Sequence, residues 1–358
     1  MPLDLYRRVA APLLGRMDPE QAHRVAILAA QSLLFPLFTP PPQPELAISL
    51  WNRTFPNPVG LAAGFDKNGK VADAMLRMGF GFVEIGGVTP RPQDGNPKPR
   101  LFRLPEDGAI INRMGFNNDG MHVVSQRLAR LRNSKRTLHG LIGVNLGKNK
   151  DTIDPADDYV KGATTFAGLA DFLVINVSSP NTPGLRALQE RKHLEHIVSS
   201  VRRTLEQDTN STPLLLKIAP DLGEQDEVEL AALACDSGID GLVVANTTLA
   251  RPDTLMGQAR HEAGGLSGRP LRTASTALLR RMYHLTKGSI PLIGVGGIGS
   301  GADAWEKIKA GASLIQLYTA LVYQGPSLVQ QIRDDLVLLA KREGFHSVAE
   351  AIGADHNS

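Results

Sequence analysis

The sequence predicts a (β/α)8 TIM barrel with an N-terminal helical extension and a β-hairpin insertion. Three observations lead there: eight short apolar runs, helix-length chain between most of them, and small polar residues clustered at their ends. The runs are Pro58–Leu61, Phe82–Ile85, Leu141–Val144, Phe172–Ile175, Leu214–Lys217, Gly241–Ala245, Pro291–Val295 and Ser313–Leu317. Strands covered on both faces need not alternate polar and apolar residues, so unbroken apolar runs suit a parallel barrel. Segments such as Asp226–Ser237 and Ala302–Ala310 supply the crossover helices that parallel strands require. A doubly wound open sheet is the structural rival. No Gly-x-Gly-x-x-Gly turn follows the first run, which weakens its dinucleotide-binding form.

Two stretches fall outside the repeat. Within residues 97–125, Arg100–Leu104 and Ala109–Asn112 flank an Asp107-Gly108 turn and read as a hairpin inserted after the second strand. Residues 1–45 form the other and end in the proline-rich linker Pro40–Pro44. The expected division is therefore a helical segment and linker (1–45), the barrel (46–345) and a polar C-terminal tail (346–358).

In the first segment, Leu5, Val9, Leu13 and Met17 recur at helical spacing, with Arg7, Arg8 and Arg16 off that stripe. A second run, Ala22–Phe38, is strongly apolar but is broken by Pro36 and is too short to span a bilayer. A secretory signal fits poorly, because no basic stretch precedes a clean apolar core and cleavage site. The pattern suits a helical cap on the barrel or an amphipathic pair lying on a membrane surface.

Composition narrows the class. The 358 residues are 42% hydrophobic and 21% charged, as in soluble globular proteins. A net charge of +3 gives no argument for nucleic acid. The single cysteine, Cys235, excludes an intrachain disulfide and a multi-cysteine metal site; near a helix end, it reads as packing rather than nucleophile. No metal is expected, and the composition fits a reducing compartment.

Chemistry gathers at the ends of the runs. The fourth run stops in Asn176, Ser178, Ser179 and Asn181, then Thr182, Pro183 and Gly184, so a buried strand ends in hydrogen-bonding side chains. Read alone, this is either an ordinary Ser/Asn/Pro loop or an active-site edge, since strand C-terminal ends are where such folds keep their sites. The other ends favour the second reading. Ala62, Ala63 and Gly64 after the first run permit close approach of a flat ligand, and Lys67 adds a cation. Asn112–Asn117 follows the hairpin, Asn145 the third run and Asn246–Thr248 the sixth, while Lys217 closes the fifth. Carboxamides offer donor and acceptor together, which suits a ring with cyclic amide edges, and Lys67 suits a carboxylate. Gly294–Ile298 and Gly311–Thr319 lie at the last two strands, the usual phosphate position of this barrel class; Gly264–Gly268 reads as another small-residue turn nearby.

Together, Leu61–Lys67, Asn112–Asn118, Asn176–Arg186, Lys217–Asp221, Gly264–Pro270 and Gly294–Gly297 resemble the dihydroorotate dehydrogenases over nearly the whole chain. Asp18–His23 in the extension, and Ser179 where the soluble class carries cysteine, resemble the class 2, quinone-dependent, membrane-associated branch. The resemblance implies FMN as cofactor, oxidation of (S)-dihydroorotate to orotate in pyrimidine synthesis, and a membrane quinone as acceptor. It implies peripheral attachment to the cytoplasmic side of the cell membrane. By position, Ser179 is the catalytic base. Lys67, Asn112, Arg113, Met114, Gly115, Phe116, Asn176, Asn181, Asn246 and Thr247 would bind substrate. Ala62, Ala63, Gly64, Phe65, Asp66, Asn145, Asn176, Lys217, Gly268, Gly297, Tyr318 and Thr319 would hold FMN. His23 and Arg103 would line a quinone tunnel. Gly87 and Ala245 stand where relatives often carry hydroxyl residues, so any contact with FMN there would come from backbone.

A free serine hydroxyl is a weak base, so Ser179 needs a low-dielectric site and a proton route, for which Thr182 and a bound water are candidates. Two other functions fit parts of the pattern. Lys217 at a strand end would suit a Schiff-base aldolase, and a non-catalytic flavin- or membrane-binding module would use the same loops.

Overall fold

A computed structural model describes residues 6–32, 39–207 and 212–356. Eight parallel strands close into a barrel in sequential order. They are β1 (Val59–Leu61), β2 (Phe82–Val88), β3 (Leu141–Leu146), β4 (Phe172–Asn176), β5 (Leu214–Ile218), β6 (Gly241–Val244), β7 (Leu292–Val295) and β8 (Ala312–Leu317). Each expected run holds one of them. The outer ring of helices is α1 (Ala72–Arg77), α2 (Met121–Arg132), α3 (Pro155–Phe166), α4 (Arg191–Gln207), α5 (Glu224–Asp236), α6 (Arg272–Leu285), α7 (Gly301–Lys309) and α8 (Ser327–Arg342). Local chemistry sets several starts. Asp154 caps α3 by accepting from the Ala156 N–H, with Pro155 at the first helical position. Ser300 caps α7 by accepting from the Asp303 N–H.

The lower barrel is filled by Phe82, Phe172, Val174, Leu215, Val243, Ile293 and Leu314. Phenylalanines lie over glycines of the neighbouring strand: a Cβ on Gly60 would fall 2.2 Å from the Phe82 ring, and one on Gly143 2.1 Å from that of Phe172. A short hairpin, Ile48–Leu50 with Arg53–Phe55, plugs this end, its Phe55 ring edge-on to Phe82 at 5.5 Å.

The expected insertion is present as Leu101–Leu104 and Ala109–Asn112, with a third strand. Gly265–Gly268, anticipated as a turn, pairs antiparallel with Ala109–Asn112. The resulting sheet carries its own core of Leu104, Ala109, Ile111, Leu255 and Leu266.

The N-terminal extension contains Pro19–Gln31, capped by Asp18, which accepts from the Glu20 and Gln21 N–H groups at 3.0 Å. Before it lie a single π-turn, Tyr6–Ala10, and the short helix Ala11–Gly15. Leu5 of the anticipated stripe and Leu33–Phe38 of the apolar run lie outside the described residues. Val9, Leu13, Val25 and Leu28 leave large apolar side chains exposed. Among the described residues, no helix is long and apolar enough to cross a membrane. Two other expectations change. Residues 346–356 pack rather than trail: Val348 and Ala351 are fully buried, in a 3-10 turn joining the main core. Cys235 is exposed, not packed, because it falls on the outer face of α5.

Candidate active site

A cavity of about 410 Å³ opens at the C-terminal ends of the barrel strands, between them and the inserted sheet. At one end, Lys67, Asn112, Met114, Gly115, Phe116, Ser179, Asn181, Asn246 and Thr247 form the wall. Asn181 Nδ2 donates to Asn112 Oδ1 at 3.0 Å, and Asn246 Nδ2 to Ser178 Oγ at 3.0 Å. Ser179 Oγ accepts from the Asn181 N–H at 3.3 Å. Asn181 Oδ1 and Thr182 Oγ1 are buried without a hydrogen-bond partner. Buried polar atoms are rarely left unpaired, so the Asn181 acceptor in the cavity wall points to a ligand.

Lys67 Nζ donates to the Gly64 carbonyl at 2.5 Å. Burial, reinforced by the Arg100 guanidinium, lowers its pKa from the usual lysine value to about 8. At neutral pH it is a cation, poised for an anion.

The middle of the cavity is walled by Ala62, Ala63, Gly64, Gly87, Asn176, Lys217 and Ala245. The far end is formed by Gly268, Gly296, Gly297, Tyr318 and Thr319. Gly297 has φ +76°, and a Cβ there would sit 2.4 Å from that of Arg272, so only glycine keeps this turn. Thr319 Oγ1 donates to Ser267 Oγ at 2.9 Å, tying the end of β8 to the inserted sheet.

On the side facing the extension, the His23 ring stands edge-on to Phe65 at 5.3 Å, and His23 Nδ1 lies 3.5 Å from Tyr318 Oη. Burial, then the Lys67 charge, lowers the His23 pKa to about 4, so the imidazole is neutral at pH 7. Burial raises the Tyr318 phenol above its ordinary range.

A family model described as dihydroorotate dehydrogenase matches residues 45–339. The chain is 55% identical to "Dihydroorotate dehydrogenase (quinone)" of Rhodospirillum rubrum, over 98% of this chain and 95% of the relative. The chain belongs to the dihydroorotate dehydrogenase family. It is also 51% identical to the mitochondrial "Dihydroorotate dehydrogenase (quinone)" of Mus musculus, over 98% of this chain and 90% of that one. The fold superposes on the crystal structure of the Eimeria tenella DHODH in complex with ferulenol with a TM-score of 0.92. The two share 43% identity, over 95% of this chain and 96% of the other.

Five residues expected at this dehydrogenase site stand back from the cavity wall. The Asp66 carboxylate turns away to accept from the Asn68, Lys70 and Val71 N–H groups, holding its own loop; burial raises its pKa. Arg113 pairs with Glu262 at 2.7 Å and stacks over Phe102. Arg103 donates to the Leu14 and Met17 carbonyls, so it clamps the extension to the hairpin. Phe65 packs behind His23 and Tyr318. Asn145 lies within β3, donating to Glu84 Oε1 at 2.6 Å and accepting from Asn176 Nδ2 at 2.9 Å. Gly87 has no room for a side chain, since a Cβ would lie 2.7 Å from the Phe116 ring.

Sequence reading missed Glu84, Gln316 and Arg272. The first two carried a signal: each is a polar residue inside an otherwise apolar run, Phe82–Ile85 or Ser313–Leu317. Buried charge and amide within a barrel strand need partners, and here they find each other.

Proposed function

We infer that this protein oxidises (S)-dihydroorotate to orotate, with FMN as cofactor and a quinone as electron acceptor, in pyrimidine synthesis. One observation carries the reading: in a family member, carboxamides, a lysine and a serine converge on one cavity whose far end is a glycine turn. The residues suit FMN. The unpartnered Gln316 Oε1 and the Lys217 ammonium in the middle of the cavity match a ring with donors and anionic character, and the Gly296-Gly297 turn beside Arg272 matches a phosphate. FMN held there would supply a two-electron carrier between the substrate hydride and a quinone acceptor.

The chain's own residues do the rest. Ser179, nearly buried, takes the C5 proton while passing on its own hydroxyl proton, and its fixed position makes the hydroxyl effective. The neighbouring Thr182 hydroxyl, buried and unpartnered, is the first step of the proton's exit. The Lys67 ammonium holds the substrate carboxylate, and Asn112, Asn176, Asn181 and Asn246 read the amide edges of the ring. Lys217 steadies negative charge at the flavin end. The Schiff-base alternative loses support because the relatives at this identity are named dehydrogenases.

The membrane reading rests on the exposed Val9, Leu13, Val25 and Leu28 of the N-terminal extension, the same segment that sends His23 to the cavity wall. Attachment is peripheral and on the cytoplasmic side, and quinone reaches the flavin between the helices. Liposome co-sedimentation tests attachment: the full chain binds vesicles, and a protein that stays in the supernatant at low ionic strength rules it out.

A further inference from the structure

Glu84 is a buried carboxylate with no role assigned so far. Glu84 sits in β2 among Phe82, Val83 and Ile85 and is fully buried. Its Oε1 accepts from Asn145 Nδ2 and its Oε2 from Gln316 Nε2, both at 2.6 Å. Lys217 Nζ lies 3.9 Å from Oε1. Three strands besides its own, β3, β5 and β8, thus send a polar side chain to this one carboxylate.

A carboxamide can present either end, whereas a carboxylate only accepts. Glu84 therefore draws both NH2 groups towards itself and leaves both amide oxygens facing away. Asn145 Oδ1 accepts from Asn176 Nδ2 at 2.9 Å. That leaves Asn176 Oδ1 to accept from Ser178 Oγ at 3.2 Å and Asn246 Nδ2 at 3.3 Å. On the other branch, Gln316 Oε1 is buried and unpartnered, in the cavity wall.

We propose that Glu84 is the positioning residue of the flavin site. It fixes the direction of the amide relay through Asn145 and Asn176, aims the Gln316 acceptor at the ring, and partly offsets the Lys217 charge. This rests on the FMN reading above.

The test uses the full-length holoenzyme and two readouts that need no turnover: the FMN dissociation constant and the midpoint potential of bound FMN. Glu84→Gln keeps the shape but lets each amide choose either orientation and leaves Lys217 without its counter-charge. The expected result is FMN dissociation weakened about tenfold or more, as for loss of a buried charged partner, with a midpoint potential shifted to more positive values. Gln316→Leu keeps the Glu84 charge and removes the acceptor, so it should weaken FMN binding with a smaller shift in potential.

Unchanged dissociation and potential in Glu84→Gln would overturn the proposal, leaving Glu84 a structural residue even if thermal stability fell. If Glu84→Gln fails to fold, wild-type FMN binding by Gln316→Leu overturns it instead. A wild-type protein that binds no FMN would mean that the functional reading itself had failed, an outcome distinct from both.

Discussion

The mouth of the barrel and the N-terminal extension break the usual rule of burial in opposite directions. At the mouth, Glu84, Asn145, Asn176 and Lys217 are buried: Asn145 links Glu84 to Asn176 by hydrogen bonds, and Lys217 lies 3.9 Å from Glu84. On the extension, Leu13 and Leu28 are 59% and 65% exposed. Buried polar groups that are fully paired mark a site whose geometry must not drift. Exposed large apolar groups gathered on one small element mark a surface that meets something apolar. The two regions are joined by polar clamps: Arg100 pairs with Glu20 at 2.8 Å, and Arg103 holds the Leu14 and Met17 carbonyls. On this account the mouth performs the half-reaction with dihydroorotate and the extension serves the half-reaction with quinone, so the two should be separable by mutation.

The largest effect is expected at the mouth. Ser179→Ala should keep FMN bound yet slow flavin reduction by about 10²–10⁴-fold, the usual worth of a positioned base. Stopped-flow absorbance under anaerobic conditions measures it, and near-normal reduction would show that the proton leaves by another route. Removal of residues 1–40 should act the other way. Flavin reduction by dihydroorotate should persist if the barrel stays folded, while oxidation by a long-chain quinone falls by about tenfold or more as its apolar approach is lost.

A third test sharpens the division through pH. The Lys67 ammonium is present below about pH 8 and is lost as the pH rises through that value. Orotate binding, followed by its perturbation of the flavin spectrum, should therefore weaken above pH 8, approaching tenfold per pH unit. Lys67→Met should bind weakly at every pH and lose that inflection. The smallest effect on stability is expected on the extension. Leu13→Glu with Leu28→Glu should change unfolding free energy by no more than about 0.5 kcal/mol per site, since both side chains are exposed. Vesicle binding should nonetheless fall sharply, because each leucine buried in lipid contributes about 1.5–3 kcal/mol.

The barrel was legible in the sequence because strands buried on both faces read as continuous apolar runs, with site residues immediately behind them. What escaped had physical reasons. The hairpin Ile48–Phe55 turns through Trp51 and Asn52, both with positive φ, so the Asn-Gly or Asp-Gly signature of such turns is missing. Gly265–Gly268 is short and glycine-rich, and its partner strand lies far away in sequence, so nothing local announces a strand. Asp66 and Arg113 sit within the motifs that carry the family resemblance, yet local partners claim their side chains. Glu84 was visible as a charge in an apolar run, but its partners on other strands were not.

The most direct test of the account is anaerobic addition of dihydroorotate to the purified FMN-loaded protein. The oxidised flavin absorbance should bleach, return on addition of a quinone, and stay bleached with fumarate or NAD. A flavin that dihydroorotate leaves oxidised, or that NAD or fumarate reoxidises as readily as quinone, would contradict it.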